Sequence, residues 1–321
     1  MNQRILVTGG QGLIGRSLAA RASAQGLKVR ISTRRKFIAT DFPLEYFQTT
    51  DLGPATDWST PLQGIDTVVH FAARVHVMRE TEVEPQAAFR AANVRGTLNL
   101  AQQAAAAKVR RFVFISSVKV NGERTKAGQT FTEADAPDPR DAYGISKHEA
   151  ELSLRQLASA TGMEVVIIRP PLVYGPGVKA NFLALMRWLW RGIPLPLGVI
   201  RNKRSFVALD NLIDLIVTCI EHPAAANQTF LVSDGEDLST SDLLRRMAVA
   251  LNVPARLLPL PQILIEVGFK MVRKNDLAQR LCSSLLVDIS KARTLLSWNP
   301  PISVDEGLHR TAQWFLHEKN I

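Results

Sequence analysis

An α/β fold built on a doubly wound parallel sheet follows from three observations. A glycine-rich turn sits behind an apolar run at the N-terminus, strand and helix patterns alternate to about residue 175, and the strands are short and apolar throughout. Ile5-Leu6-Val7 reads as a buried first strand, Thr8-Gly9-Gly10-Gln11-Gly12-Leu13-Ile14-Gly15 as a tight turn, and Ser17-Leu18-Ala19-Ala20-Arg21 as the helix that follows. Glycine lets an anion approach the backbone, and the free N–H groups and dipole of a helix N-terminus attract it. The spacing Gly9-x-x-Gly12-x-x-Gly15, with a strand before it and a helix after it, therefore predicts a dinucleotide site.

The next strands are Lys28–Ser32, Leu44–Gln48, Thr67–His70, Phe112–Ile115 and Val165–Ile168, with helices from Phe89 to Ala107 and from Ser146 to Ala160. Ligands of such sheets collect at the carboxyl ends of the strands. Beyond Pro176 the texture changes to loops punctuated by Pro and Gly and to helices, with one late strand at Phe230-Leu231-Val232. The expected division is a Rossmann domain over 1–175 and a smaller substrate lobe over 176–321, with some chain returning to the first sheet.

A chain of 321 residues with 46% hydrophobic residues can bury a full core. No signal peptide is read at its start, and no apolar run reaches the ~18 residues of a membrane span. Cys219 and Cys282 form no C-x-x-C pair, which fits a reducing cytoplasm. The net charge of +10 is dispersed in short runs such as Arg34-Arg35-Lys36 and Arg201-Asn202-Lys203-Arg204, a pattern of solvated surface charge with no nucleic-acid tract. The stretch from Phe182 to Arg191 combines aromatics and arginines; a core or lid helix is the preferred reading over a membrane-surface helix. The six histidines form no metal set.

Tyr143 and Lys147 are four residues apart at a helix start, so the ammonium can lie near the phenol. Tyrosine titrates near pH ~10, and a fixed lysine charge, helped by an oxidised nicotinamide, lowers that value, making a proton carrier for an alcohol/ketone couple. Ser116 and Ser117 close the fifth strand, where a hydroxyl can hydrogen-bond the reacting oxygen.

With these motifs the chain resembles an extended short-chain dehydrogenase/reductase of the nucleotide-sugar epimerase/dehydratase family, from Arg4 to about Trp314. The resemblance also covers Asp51-Leu52, His70-Phe71-Ala72-Ala73, Asn93-Val94-Arg95-Gly96-Thr97, Arg169-Pro170, Arg204-Ser205-Phe206-Val207 and Asp288-Ile289-Ser290-Lys291. It implies that Ser117, Tyr143 and Lys147 are catalytic. It implies cofactor contacts from Gly9, Gly12, Leu13, Ile14, Gly15, Thr33, Arg34, Arg35, Asp51, Leu52, Phe71, Ala72, Ala73, Arg74, Asn93, Tyr143, Lys147 and Pro170. Substrate contacts fall to Val75, Ser117, Lys119, Asn181 and Arg204, with a helix N-cap as the structural alternative for Asn181. The resemblance further implies a homodimer acting on a UDP-sugar without a metal.

Two departures bear on the reaction. Relatives that prefer NAD carry an acid at the position of Thr33, which here is followed by Arg34 and Arg35, so NADP is favoured over NAD. Leu172 stands where epimerases usually place a sugar-contacting asparagine. The Val75–Arg79 segment and the Asn181 to Phe206 stretch are most similar to a bacterial subgroup of surface-polysaccharide (O-antigen, lipopolysaccharide) synthesis. The first expectation is therefore a reductase of a UDP-4-keto-6-deoxy-N-acetylhexosamine, giving UDP-N-acetylquinovosamine. The alternative is a UDP-glucose or UDP-N-acetylglucosamine 4-epimerase, and a distant one is a non-catalytic cofactor-sensing relative.

Overall fold

The computed structural model describes residues 3–34, 44–49, 51–74, 85–271, 279 and 281–319. Seven parallel strands form the main sheet in the order β3-β2-β1-β4-β5-β6-β9. They are β1 (Arg4–Thr8), β2 (Lys28–Thr33), β3 (Leu44–Gln48), β4 (Thr67–His70), β5 (Arg111–Ile115), β6 (Glu164–Arg169) and β9 (Thr229–Leu231). Ile5 pairs with Val29 on one side and Thr67 on the other, so the winding reverses between β1 and β4 and opens a crevice at their carboxyl ends. β4 and β5 are buried along their whole length, as strands covered on both faces must be.

Helix α1 (Leu13–Ala24) packs Leu18 and Ala22 with Leu212 and Ile216 of α6 (Leu209–Glu221) on one face of the sheet. On the other face lie α3 (Thr97–Ala106) and α4 (Ala142–Thr161), with Leu100, Ala104 and Leu154. A second sheet of three strands joins β7 (Leu172–Tyr174), β8 (Arg204–Ala208) and β10 (Asp237–Leu238) in the order β10-β8-β7. Its separate core gathers Phe182 and Met186 of α5 (Ala180–Trp190), Leu244 and Met247 of α7 (Thr240–Ala250), Ile265 of α8 (Gln262–Met271) and Phe315 of the last helix (Val304–Lys319).

Two elements differ from the sequence expectation. The helix expected from Phe89 to Ala107 is interrupted: a short helix α2 (Pro85–Phe89) runs into a π-helical turn over Arg90–Gly96 before α3. Gly96 lies there against the backbone of Leu52, where an added Cβ would come 3.0 Å from the Leu52 carbonyl oxygen. The helix expected from Ser146 begins earlier, at Ala142, because the Asp141 carboxylate caps it by accepting from the Gly144 N–H at 2.7 Å.

One buried cluster joins β5, β6 and α4. Arg169 donates through Nε (2.9 Å) and Nη2 (2.5 Å) to the two oxygens of Glu151, and through Nη1 to Asn121 Oδ1 (2.9 Å). Ser116 Oγ donates to the same carboxylate at 2.6 Å. Arg169 is 2% exposed and Glu151 1%, so removing either partner strands a charge in the core. Glu151→Ala is expected to lower unfolding free energy by about 3–5 kcal/mol, read from denaturant midpoints. A loss under about 1 kcal/mol, the size of an exposed pair, would show that the cluster does not brace the fold.

Candidate active site

The glycine turn leaves no space for side chains. Gly9 has φ +70°, and a Cβ on it would lie 2.9 Å from the Ala72 nitrogen; on Gly15 it would lie 2.5 Å from the Gly9 carbonyl oxygen. Gly12 donates to the Gly9 carbonyl at 2.9 Å and precedes α1, whose N-terminus has no side-chain cap and no acid in its first turn. Its N–H groups and dipole therefore meet an anion without competition, and Leu13 and Ile14 open that first turn. This cradle fits a dinucleotide pyrophosphate.

The wall after β4 carries Phe71, Ala72, Ala73 and Arg74, all partly exposed. Asn93, which the resemblance implies to be a cofactor contact, is 1% exposed and its amide is engaged within the protein. Its Oδ1 accepts from the Arg74 N–H (2.7 Å), and its amide donates to the Arg74 carbonyl (3.0 Å) and to Ser146 Oγ (3.0 Å). Asn93 thus fastens the wall to α4. His70 is fully buried between Thr8 Oγ1 (2.6 Å) and Thr97 Oγ1 (2.9 Å). Burial, then the Lys147 charge, pushes it down to about 3, so it is neutral and structural.

At the outer edge, Thr33 is buried and its carbonyl accepts from the Thr49 N–H at 2.9 Å. Arg34 does not face the crevice as an isolated cation, because it pairs with Asp51 at 3.6 Å, both side chains about three-quarters exposed (73% and 74%). Arg35 and Val75 lie outside the described residues.

β5 and α4 bring three groups together. Ser116 turns inward to Glu151, whereas Ser117 is partly exposed and caps the turn Val118–Val120. Pro170 is buried beside it, its carbonyl accepting from the Val118 N–H at 3.0 Å. The Lys147 ammonium donates to the Ile115 carbonyl at 2.8 Å and lies 5.9 Å from the Tyr143 ring centre. Lys147 is 2% exposed, and burial draws it down to about 7 against the opposing pull of Glu151. Burial, then the Asp141 carboxylate, pushes Tyr143 up to about 12. The expected depression of the phenol is therefore not a property of the polypeptide alone: desolvation and Asp141 outweigh the ammonium. The α4 start presents a protonated phenol with a buried amine below its ring, and Ser117 stands at the end of β5.

Lys119, expected to face the sugar, is instead ion-paired to the helix-capping carboxylate of Asp141. Asn181 is exposed in the first turn of α5, where Lys179 is the N-cap, which removes the capping alternative. Arg204 opens β8 partly exposed, its Nη1 donating to the Ser283 carbonyl at 3.0 Å. Sequence reasoning missed the Gly175-Pro176-Gly177 loop, which crosses the N-terminus of α1. Gly177 has φ +90°, and a Cβ there would lie 2.8 Å from Leu13 Cδ1. Two glycines around a proline were a readable turn signal. Asp141 was missed too, although an Asp before a helix start is a legible cap. Among the described residues, no cluster of His, Cys, Asp or Glu could hold a metal.

The fold and this site define the short-chain dehydrogenase class of nucleotide-binding enzymes. Residues 5–233 match the model of the NAD dependent epimerase/dehydratase family, and the chain belongs to that family. It is 48% identical to a Vibrio cholerae UDP-glucose 4-epimerase, over all of this chain and 98% of that protein. Its fold is similar to that of a Thermotoga maritima UDP-glucose 4-epimerase with UDP-glucose (TM-score 0.76, 22% identity, 99% of this chain and 100% of the other). It is also similar to that of a Bacillus cereus UDP-glucuronic acid 4-epimerase in complex with NAD (TM-score 0.78, 22% identity, 99% and 98%).

The buried Lys147 carries a testable cost. Its folded pKa lies below its unfolded one, so the charge penalty is full below about pH 7 and shrinks as pH rises toward 10.5. Lys147→Met should raise Tm at pH 6 and raise it less at pH 9. Equal or lower Tm at both pH values would mean that Lys147 is solvated or firmly paired.

Proposed function

We propose that the protein is a UDP-sugar 4-epimerase that works with NAD. The observation that carries this reading is the 48% identity to the Vibrio cholerae enzyme over the whole chain. The reductase expected first from the sequence rested on the cofactor edge, on Leu172 and on the resemblance to a surface-polysaccharide subgroup, and the cofactor edge now reads differently. There the Asp51 carboxylate beside Arg34 neutralises the guanidinium and repels a 2′-phosphate, which supports NAD over NADP.

A dinucleotide held there would supply a reversible hydride acceptor for C4 of the sugar, with no net consumption of the cofactor. The glycine turn and the N–H groups of Leu13 and Ile14 would hold its pyrophosphate, Asp51 and Leu52 would take its adenine end, and Phe71, Ala72 and Ala73 would wall it in. Ser117 Oγ hydrogen-bonds the sugar O4 and aims it at Tyr143. The Tyr143 oxygen takes the O4 proton as the ketone forms and returns it as the alcohol re-forms on the other face. At neutral pH its raised pKa keeps it protonated and a weak acid, and it becomes an effective acid and base only when positive charge gathers beside it. Lys147 supplies part of that charge and holds the ribose. Arg204 binds the substrate diphosphate through its planar fork, and Asn181 lies toward the uridine.

Incubation with UDP-N-acetylglucosamine or UDP-glucose and no added reductant separates the readings. C4-epimer should appear under either no additive or added NAD. Turnover confined to a 4-keto sugar with NADPH would overturn the epimerase. Tyr143→Phe should reduce kcat by ~10²–10⁴-fold with NAD affinity within a few-fold. Arg204→Lys should raise KM for the UDP-sugar while leaving NAD affinity unchanged; an unaltered sugar KM would remove Arg204 from the site.

A further inference from the structure

The substrate chemistry leaves the outer flank of the second core unexplained. α8 buries Ile265 in that core yet exposes Ile263 (71%), Leu264 (56%), Val267 (50%) and Met271 (81%). At about 100° per residue these four fall within one arc of about 100°, opposite Ile265. A soluble helix ordinarily turns polar side chains outward. Here both sides are apolar.

α5 presents a matching face. Phe182, Leu185, Met186 and Leu189 point inward, and the solvent side carries Arg187 and Arg191 between the exposed rings of Trp188 (38%) and Trp190 (42%). The segments that follow α5 and lead into α8 are joined by three backbone hydrogen bonds: Leu195 N–H to Arg256 O (2.9 Å), Leu258 N–H to Leu195 O (2.8 Å) and Gly198 N–H to Leu258 O (2.9 Å). Between the helices they expose Ile193, Val199, Leu258 and the guanidinium of Arg256. The charge of α5 and of the connecting segments is one-sided: no acid occurs from Lys179 to Leu209 or from Leu243 to Ile265, and α8 itself carries one acid, Glu266, and one base, Lys270.

We infer that this flank is a docking surface for an anionic lipid bilayer. Aliphatic residues that enter the acyl boundary, tryptophans suited to the headgroup level and arginines free of neighbouring acids are the three components of an interfacial helix. A second copy of the chain would set this basic face against itself, which charge disfavours. Among the described residues no helix is long and apolar enough to cross a membrane, so the association is peripheral. The inference does not depend on which sugar is epimerised.

The test is co-sedimentation of the full-length protein with phosphatidylcholine vesicles and with vesicles of phosphatidylcholine and phosphatidylglycerol. Binding is expected to the anionic vesicles only, and to weaken in high salt. Arg187→Gln/Arg191→Gln should weaken it about tenfold or more, since each arginine near an anionic surface contributes about fivefold. Ile263→Ser/Val267→Ser should weaken it similarly, while both variants keep the parent's Tm and turnover of soluble UDP-sugar. If the serine variant fails to fold, the arginine variant decides. Absence of binding to anionic vesicles, or binding that both variants retain, overturns the inference. So does a solution mass that falls to the monomer on Ile263→Ser/Val267→Ser, because a second copy then covers the face.

Discussion

The geometry of the candidate site depends on the buried pair of Arg169 and Glu151. Arg169 ends β6, Glu151 lies two turns into α4, and Ser116 at the end of β5 donates to the same carboxylate. A bidentate guanidinium–carboxylate contact fixes orientation as well as distance. It therefore sets how α4 lies across the strand ends, and with it where Tyr143 and Lys147 meet Ser117. Because Ser116 is occupied in this cluster, the neighbouring hydroxyl is the one left at the crevice. Asn121, held by Nη1 of Arg169, extends the same constraint to the turn after Ser117.

Around that frame the polypeptide holds charges in unfavourable states. Lys147 sits in the core with its ammonium over the Phe114 ring at 4.4 Å and one hydrogen bond to a carbonyl, and desolvation draws its pKa down. Desolvation acts in the opposite direction on Tyr143, favouring the neutral phenol. The two effects share one cause, the exclusion of water between α4 and β5. Such a site keeps its phenol protonated until positive charge arrives, and it costs stability to maintain. Asp141 adds to the same bias while serving as the cap that starts α4. Lys119, paired to Asp141, tempers that carboxylate's charge.

The outer rim illustrates how a neighbour changes the meaning of a residue. Arg34 taken alone suggests a phosphate ligand. Beside Asp51 it is half of an exposed pair, and such pairs are worth ~0–1 kcal/mol and are screened by salt. Asn93 shows the same effect in the core, where an amide expected at the ligand instead closes hydrogen bonds on the loop that walls it.

Much was legible in one dimension. The glycine turn, the succession of strands along the chain up to β6 and the Tyr143/Lys147 pair are local patterns, set by backbone sterics, by the period of apolar residues and by helical spacing. These determine the sheet, the glycine cradle and the residue proposed as proton carrier. Tertiary structure decided what depends on residues distant in the chain: the π-helical turn pressed on Leu52, the diversion of Ser116 to Glu151, the capture of Lys119 by Asp141, and the direction of the Tyr143 shift. Desolvation is a property of the volume around a group, and ion pairing depends on which charge folds alongside it. Neither quantity has a local signature in the sequence, so the proposed site residues could be named from it while their electrostatic state could not.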